Sequence, residues 1–94
     1  GSGEPVRRAA LNGGQINLPF IDLSSGQSTT IKLPPPQVIT IKYNGNLFRL
    51  VREESGACHL LGVGQTVSLA RGSMSLTGIT VSSIDGLQFR INVD

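Results

Sequence analysis

The amino-acid sequence predicts an all-β domain, a small sandwich or partly open barrel of two roughly three-stranded antiparallel sheets. Three observations carry that expectation. Runs rich in Val and Ile alternate apolar and polar residues with period 2. The dipeptides Asn44-Gly45 and Asp85-Gly86, both strong turn signals, sit between such runs. No stretch sustains the 3.6-residue period of an amphipathic helix. Ninety-four residues with 38% apolar content and twelve glycines suit one domain of ordinary stability, roughly 5–10 kcal/mol.

The clearest element is Val38 to Val51. Two β-rich runs flank Asn44-Gly45, and a two-residue type I′ loop there needs positive φ at both positions, which Asn and Gly tolerate. That loop sets Tyr43 opposite Asn46, Ile41 opposite Phe48 and Ile39 opposite Leu50. Ile39, Ile41, Phe48 and Leu50 then share an inward face, and Val38, Thr40, Lys42, Leu47, Arg49 and Val51 share the other, a mixed face open to water or to a partner. A second hairpin follows the same grammar. A three-residue loop, Ile84-Asp85-Gly86 with Gly86 left-handed, pairs Val81 with Phe89 and Ile79 with Ile91, whereas a two-residue loop would oppose apolar to polar side chains. Val67 and Leu69 complete the expected core. Truncating Phe48 or Phe89 to Ala is expected to cost roughly 3–5 kcal/mol.

Taken in order, residues 1–11 read as a flexible arm, with Gly1-Ser2 as an expression scar and Pro5 to Leu11 as the best candidate for a helical turn; residues 12–94 read as the single β domain. Ile16, Leu18 and Phe20 alternate as a strand that Pro19 confines to an edge or a bulge. Ser24 to Gln27 is a turn, and Thr29, Ile31 and Leu33 share one side of a second strand. Pro34-Pro35-Pro36 has no amide donors and separates these strands from the central hairpin. Arg52 to Gly56 is a charged turn, and Leu61 to Gln65 is a glycine bend. Thr66 to Ala70 is a strand, Arg71-Gly72-Ser73 turns the chain, and Met74 and Leu76 alternate before the last hairpin.

No constellation in the sequence assembles an active site or a metal centre, so no enzyme activity, cofactor or metal is expected. Cys58 and His59 are neighbours on a strand and point to opposite faces, and no second Cys or His completes a ligand set. Cys58 reads as a small, partly buried hydrophobe and His59 as a surface residue. Glu53 and Glu54 read as a solvated turn. Leu61-Gly62-Val63-Gly64-Gln65 lacks the Lys-Ser/Thr ending and following helix of a phosphate loop. One Tyr and no Trp disfavour a sugar platform, and inward Phe48 and Phe89 leave no stacking rings for nucleic acid. A net charge of +2 is scattered rather than striped.

What remains is protein interaction. Arg49 and Arg90 hold matching outward positions beside the two inward phenylalanines, poised to grip an acidic partner. The strands at Thr66 to Ala70 and Met74 to Thr77 carry no proline, so an extended partner segment is expected to add as a strand or lie in the cleft beside it along this edge, with Ser68 outward on it and Arg71 or Arg90 giving charge selectivity. The alternative is that these strands pair with each other and leave no usable edge.

The second half, from Val38 to Val93, resembles the periplasmic β-domain of the type IV pilus assembly protein PilP and the related homology region of the type II secretion protein GspC. The residues carrying the resemblance are the first hairpin, the strand entry Gly62-Val63-Gly64-Gln65-Thr66-Val67, the run Gly78 to Ile84, and the final strand at Phe89 to Val93. The resemblance implies two face-to-face sheets and a non-catalytic scaffold linking inner-membrane assembly proteins to a secretin. It further implies a periplasmic domain, tethered to the inner membrane by a segment outside this sequence and monomeric in isolation. An oligomeric module of a virion, phage tail or fibre is the alternative that the Ser-, Thr- and Gly-rich strands also suit.

Overall fold

The computed structural model describes residues 20–94. It is all-β: β1 (Phe20–Leu23), β2 (Ser28–Lys32), β3 (Gln37–Tyr43), β4 (Asn46–Arg52), β5 (Cys58–Gly62), β6 (Gln65–Ser68), β7 (Ser73–Leu76), β8 (Ile79–Ser83) and β9 (Gln88–Val93). These form a five-stranded sheet, β1-β3-β4-β5-β6, packed on a four-stranded one, β2-β9-β8-β7. The result is a sandwich with more strands than the three per sheet the sequence suggests. β1 also runs parallel to β3, where an all-antiparallel arrangement was expected. The expected arm at residues 1–11, the helical turn at Pro5 to Leu11 and the strand residues Ile16 and Leu18 lie outside the described residues.

The extra strands come from turns that carry no strong signature. Asn44-Gly45 forms the expected loop, with φ of 54° and 80° and the register Tyr43↔Asn46, Ile41↔Phe48, Ile39↔Leu50. Val63-Gly64, Arg71-Gly72 and Thr77-Gly78 repeat the same pair of positive φ values. Leu61 to Gln65 is therefore the tip of a β5–β6 hairpin rather than a bend before one strand, and Thr77-Gly78 joins β7 to β8. The β8–β9 register also differs from the expected one: Val81 pairs with Ile91 and Ile79 with Val93, two residues further along. The cause is a longer loop. Asp85 Oδ1 accepts the N–H groups of Leu87 (3.0 Å) and Gln88 (2.7 Å), and the Ile84 N–H donates to the Gln88 carbonyl (2.8 Å). These bonds hold Ile84 to Leu87 out of the ladder. A shift of two preserves the faces, so Ile79, Val81, Phe89 and Ile91 remain inward.

The core lies between the sheets. Ile39, Ile41, Phe48, Leu50 and Leu60 from one layer meet Ile79, Val81, Phe89 and Ile91 from the other, with Leu33, Met74, Leu76 and Cys58 filling the margins. Val67 and Leu69, expected fully inside, are half-buried against this cluster, because β6 is the last strand of its sheet. Gly62 sits under Phe48: a Cβ there would lie 2.2 Å from Phe48 Cδ2, so the ring occupies the space a side chain would need. At the end of the core the Arg52 guanidinium stacks over Phe89, 5.0 Å from the ring centroid, and its Nε and Nη1 are buried without an acceptor.

The chain crosses between layers three times, each time through an exposed connection. The Ser24 to Gln27 turn joins β1 to β2, Arg71-Gly72 joins β6 to β7, and Pro34 to Pro36, with a cis Pro35–Pro36 bond, carries β2 back to β3. The rim at β1–β2 is closed by the Asp94 carbonyl, which accepts from the Gly26 N–H (3.0 Å), Ser25 Oγ (2.7 Å) and Tyr43 Oη (3.0 Å).

Candidate interaction surface

Strand alternation gives each sheet an outer face, and the two faces differ in chemistry. The registers align Ser28, Asn92, Thr80 and Ser75 in one row of the four-stranded sheet, and Thr30, Arg90, Ser82 and Ser73 in the next. Lys32 and Gln88 begin a third. All ten are polar, and Ser75 Oγ and Thr80 Oγ1 bond at 2.9 Å. Such a face is satisfied by water.

The outer face of the five-stranded sheet is mixed. Its middle row runs Phe20, Thr40, Arg49, Leu61, Thr66. Asp22, Lys42 and Leu47 flank it on one side, and Val38, Val51, His59 and Ser68 on the other. Phe20 is 59% exposed, Leu47 62% and Leu61 37%, and Val63, at the β5–β6 tip beside this face, is 47%. Ile84 and Leu87 are the other two large exposed hydrophobics among the described residues, and both lie in the β8–β9 loop. Val63 adds a second anomaly. A β-branched residue at φ 46° is a backbone outlier, so the valine is held at a strained position with its side chain in water.

Beside the apolar residues lies a hydrogen-bonded chain of three side chains. His59 and Ser68 are directly opposed on β5 and β6. His59 Nε2 lies 2.5 Å from Glu53 Oε2, and Nδ1 lies 2.8 Å from Ser68 Oγ. A carboxylate only accepts, so Nε2 carries the proton and, in the neutral ring, Nδ1 accepts from the Ser68 hydroxyl. The order of groups is that of a nucleophile, base and carboxylate, but it lies on an open sheet face. A cavity of about 440 Å³ lies at the opposite end of the strands, between Asp22–Ser25 and Lys42–Gly45. The chain ties the Glu53 turn to β6, the last strand of the sheet.

Cys58 points the other way, into the core, as the alternation requires. Burial pushes its thiol pKa up, with Arg52 opposing in part. No cluster of three His, Cys, Asp or Glu side chains able to hold a metal occurs among the described residues.

The four residues singled out from sequence do not converge. Arg49 lies at the centre of the mixed face, and Ser68 is on the same face at its β6 margin. Arg71 is exposed in the turn where the chain leaves β6 for the other sheet. Arg90 is on the far, polar face, because matching outward positions in hairpins of opposite layers point in opposite directions. Sequence reasoning missed Phe20, Leu61 and Val63 as members of the surface, and Glu53 as the partner of His59. Leu47 and Val51 were visible as neighbours of Arg49.

No protein-family model, curated protein or solved structure matches this chain.

Proposed function

We propose that this chain is a non-catalytic protein-interaction domain whose outer five-stranded face docks a partner protein. In the form the PilP and GspC resemblance implies, it is a periplasmic scaffold between inner-membrane assembly proteins and a secretin. The observation that carries the docking reading is the contrast between the strands of the two faces. Phe20, Leu47 and Leu61 are exposed on the strands of one, whereas the strand rows of the other are polar and its exposed apolar residues, Ile84 and Leu87, are confined to the β8–β9 loop. Leu47, Leu61 and Val63 gather around β4 and β5, with Phe20 two strands away across Thr40 and Arg49. A group of exposed apolar side chains rimmed by polar ones marks an interaction site more often than isolated residues do. Val63 supports it further, since an exposed valine in a strained turn serves neither solubility nor stability. Arg49 and Lys42 within the patch select for acidic groups among the apolar ones of the partner.

Site-specific photo-crosslinking tests this reading. A photoreactive side chain at Leu47 or Leu61 is expected to give adducts with the purified secretin of the same organism, and one at Ser75 or Thr80 to give none. Equal yields from both faces, or none from either, overturn the reading. Adducts formed only between copies of this chain would favour the oligomeric structural module.

A further inference from the structure

We propose that β6 takes up an extended segment of the partner as an additional strand, one that alternates apolar and small polar residues and carries an acidic residue at the end nearest Arg71. The inference rests on the docking reading above and specifies how the partner is held.

The hydrogen-bond phase of the β5–β6 hairpin decides which groups are free. Residues flanking a two-residue loop form a hydrogen-bonded pair, and such pairs alternate along the ladder. Gly62 and Gln65 flank the Val63-Gly64 loop, so Leu60 and Val67 form the next bonded pair. The Leu69 N–H donates to the Cys58 carbonyl at 2.9 Å, which confirms the phase. The N–H and C=O groups of Thr66 and Ser68 therefore point away from β5, and neither residue makes a backbone bond to any other described segment.

β7 lies alongside β6 but forms no ladder with it. The only backbone pairing between the two segments is the Ala70↔Ser73 bridge, which closes the Arg71-Gly72 turn and lies beyond the end of β6. The neighbouring edges offer less. On β7, Ser73 is already bonded to Ala70, which leaves Ser75. On β2, Lys32 and the prolines that follow blunt the edge. β6 has no proline, lysine or bulge.

The side chains beside the edge specify the pattern. Alternate residues of an added strand would face the seam between the sheets, where Val67 and Leu69 are half-buried and still lack cover on one side. Apolar residues fit there. The intervening residues would stand beside Thr66 and Ser68 on the outer face, where small polar side chains meet the hydroxyls. Arg71, exposed at the end of the edge, selects an acid.

The probe is a synthetic peptide of about eight residues, the order of one strand, alternating Val and Ser with Asp at one end. A permuted peptide with its valines in one block is the control. Fluorescence anisotropy is expected to show the alternating peptide binding about tenfold more tightly than the permuted one, and Ser68→Pro to lower its affinity about tenfold, the loss expected from one or two edge hydrogen bonds. Arg71→Glu weakens it and Arg90→Glu leaves it unchanged. In the parent protein, the Thr66 and Ser68 amides exchange quickly when free and slowly with peptide bound, a readout that does not depend on the proline variant folding. Absence of binding, equal binding by folded Ser68→Pro, or protection at other amides overturns the proposal. A dimer that Ser68→Pro dissolves would seat a second copy at the edge instead and also overturn it. Loss of secretin crosslinks in Leu47→Asp with retention in Ser68→Pro would sink strand addition alone and leave the docking face standing.

Discussion

Phe48 and Gly62 form a size-matched pair, and one does not tolerate change without the other. A methyl group at Gly62 would stand 2.2 Å from the ring, and Phe48 is 1% exposed with no open direction in which to move. Gly62→Ala is expected to cost about 1–3 kcal/mol, as overpacking of a filled core does. Adding Phe48→Leu, which empties the space the methyl needs, should make the double variant less destabilised than the sum of its singles; additivity in urea denaturation would mean that the two sites do not meet. Two ionisable side chains fix how stability responds to pH. Asp85 accepts two backbone N–H groups, which hold its carboxyl below the usual range. A lowered folded pKa contributes stability above the unfolded value of 3.8 that is lost as pH falls through the folded one. Cys58 works in the opposite sense. Its raised pKa gives stability that is complete below the unfolded value of 9.0 and lost as pH climbs through the folded one. Thermal midpoints are expected to fall at both extremes. Asp85→Asn should flatten the acid limb and Cys58→Ser the alkaline limb, and limbs unchanged in these variants would remove the assignment.

At the scale of elements, the turns decide how many strands exist. Asn44-Gly45 was legible because both residues accept positive φ at little cost, and the β3–β4 register followed to the residue. Val63-Gly64, Arg71-Gly72 and Thr77-Gly78 adopt the same geometry with a first residue that rarely does, so the sequence shows Leu61 to Gln65 as a bend rather than a hairpin tip and the sheets as roughly three-stranded. The faces survived these errors. Period 2 fixes which side chains point inward even where the partner is shifted by two, as in β8–β9. The interaction surface was half legible: Arg49, Leu47 and Val51 lie on one strand and follow from the hairpin, whereas Phe20 and Leu61 join them only through β1–β3 and β4–β5 pairing, for which the chain carries no local signal. Arg90 is outward beside Phe89, as its hairpin implies, but on the other sheet from Arg49, since which hairpin joins which layer is a tertiary fact. Val63 offers the test at this scale. Val63→Asn relieves the left-handed backbone and is expected to stabilise the domain by about 1 kcal/mol, while removing an apolar side chain from the docking face should weaken crosslinking from Leu61. A stability gain with docking unchanged would take Val63 out of the surface; no gain would mean the turn is not strained.

The whole molecule presents one wettable and one mixed face, and their size bears on what it does alone. Five strands spaced ~4.8 Å apart, with ~3.3 Å per residue along strands of four to seven residues, give the mixed face an area on the order of 500 Å². A stable specific interface buries about 800 Å² on each partner. Self-association through this face alone would make at most a small interface, because the face is a single sheet of short strands whose apolar side chains are interspersed with polar ones. A partner that covers the face and extends over the β6 edge buries more, because strand addition also recruits the seam at Val67 and Leu69. The isolated domain is accordingly expected to be a monomer by light scattering at micromolar concentration. It should gain a well-defined mass only when a partner with an extended segment is present. An obligate structural module of a fibre or capsid would behave in the opposite way, since its copies would have to bury far more than one face of this size. A stable trimer or larger ring formed by the chain alone would therefore replace the scaffold reading with the oligomeric one, and would require the edges rather than the face to carry the contact.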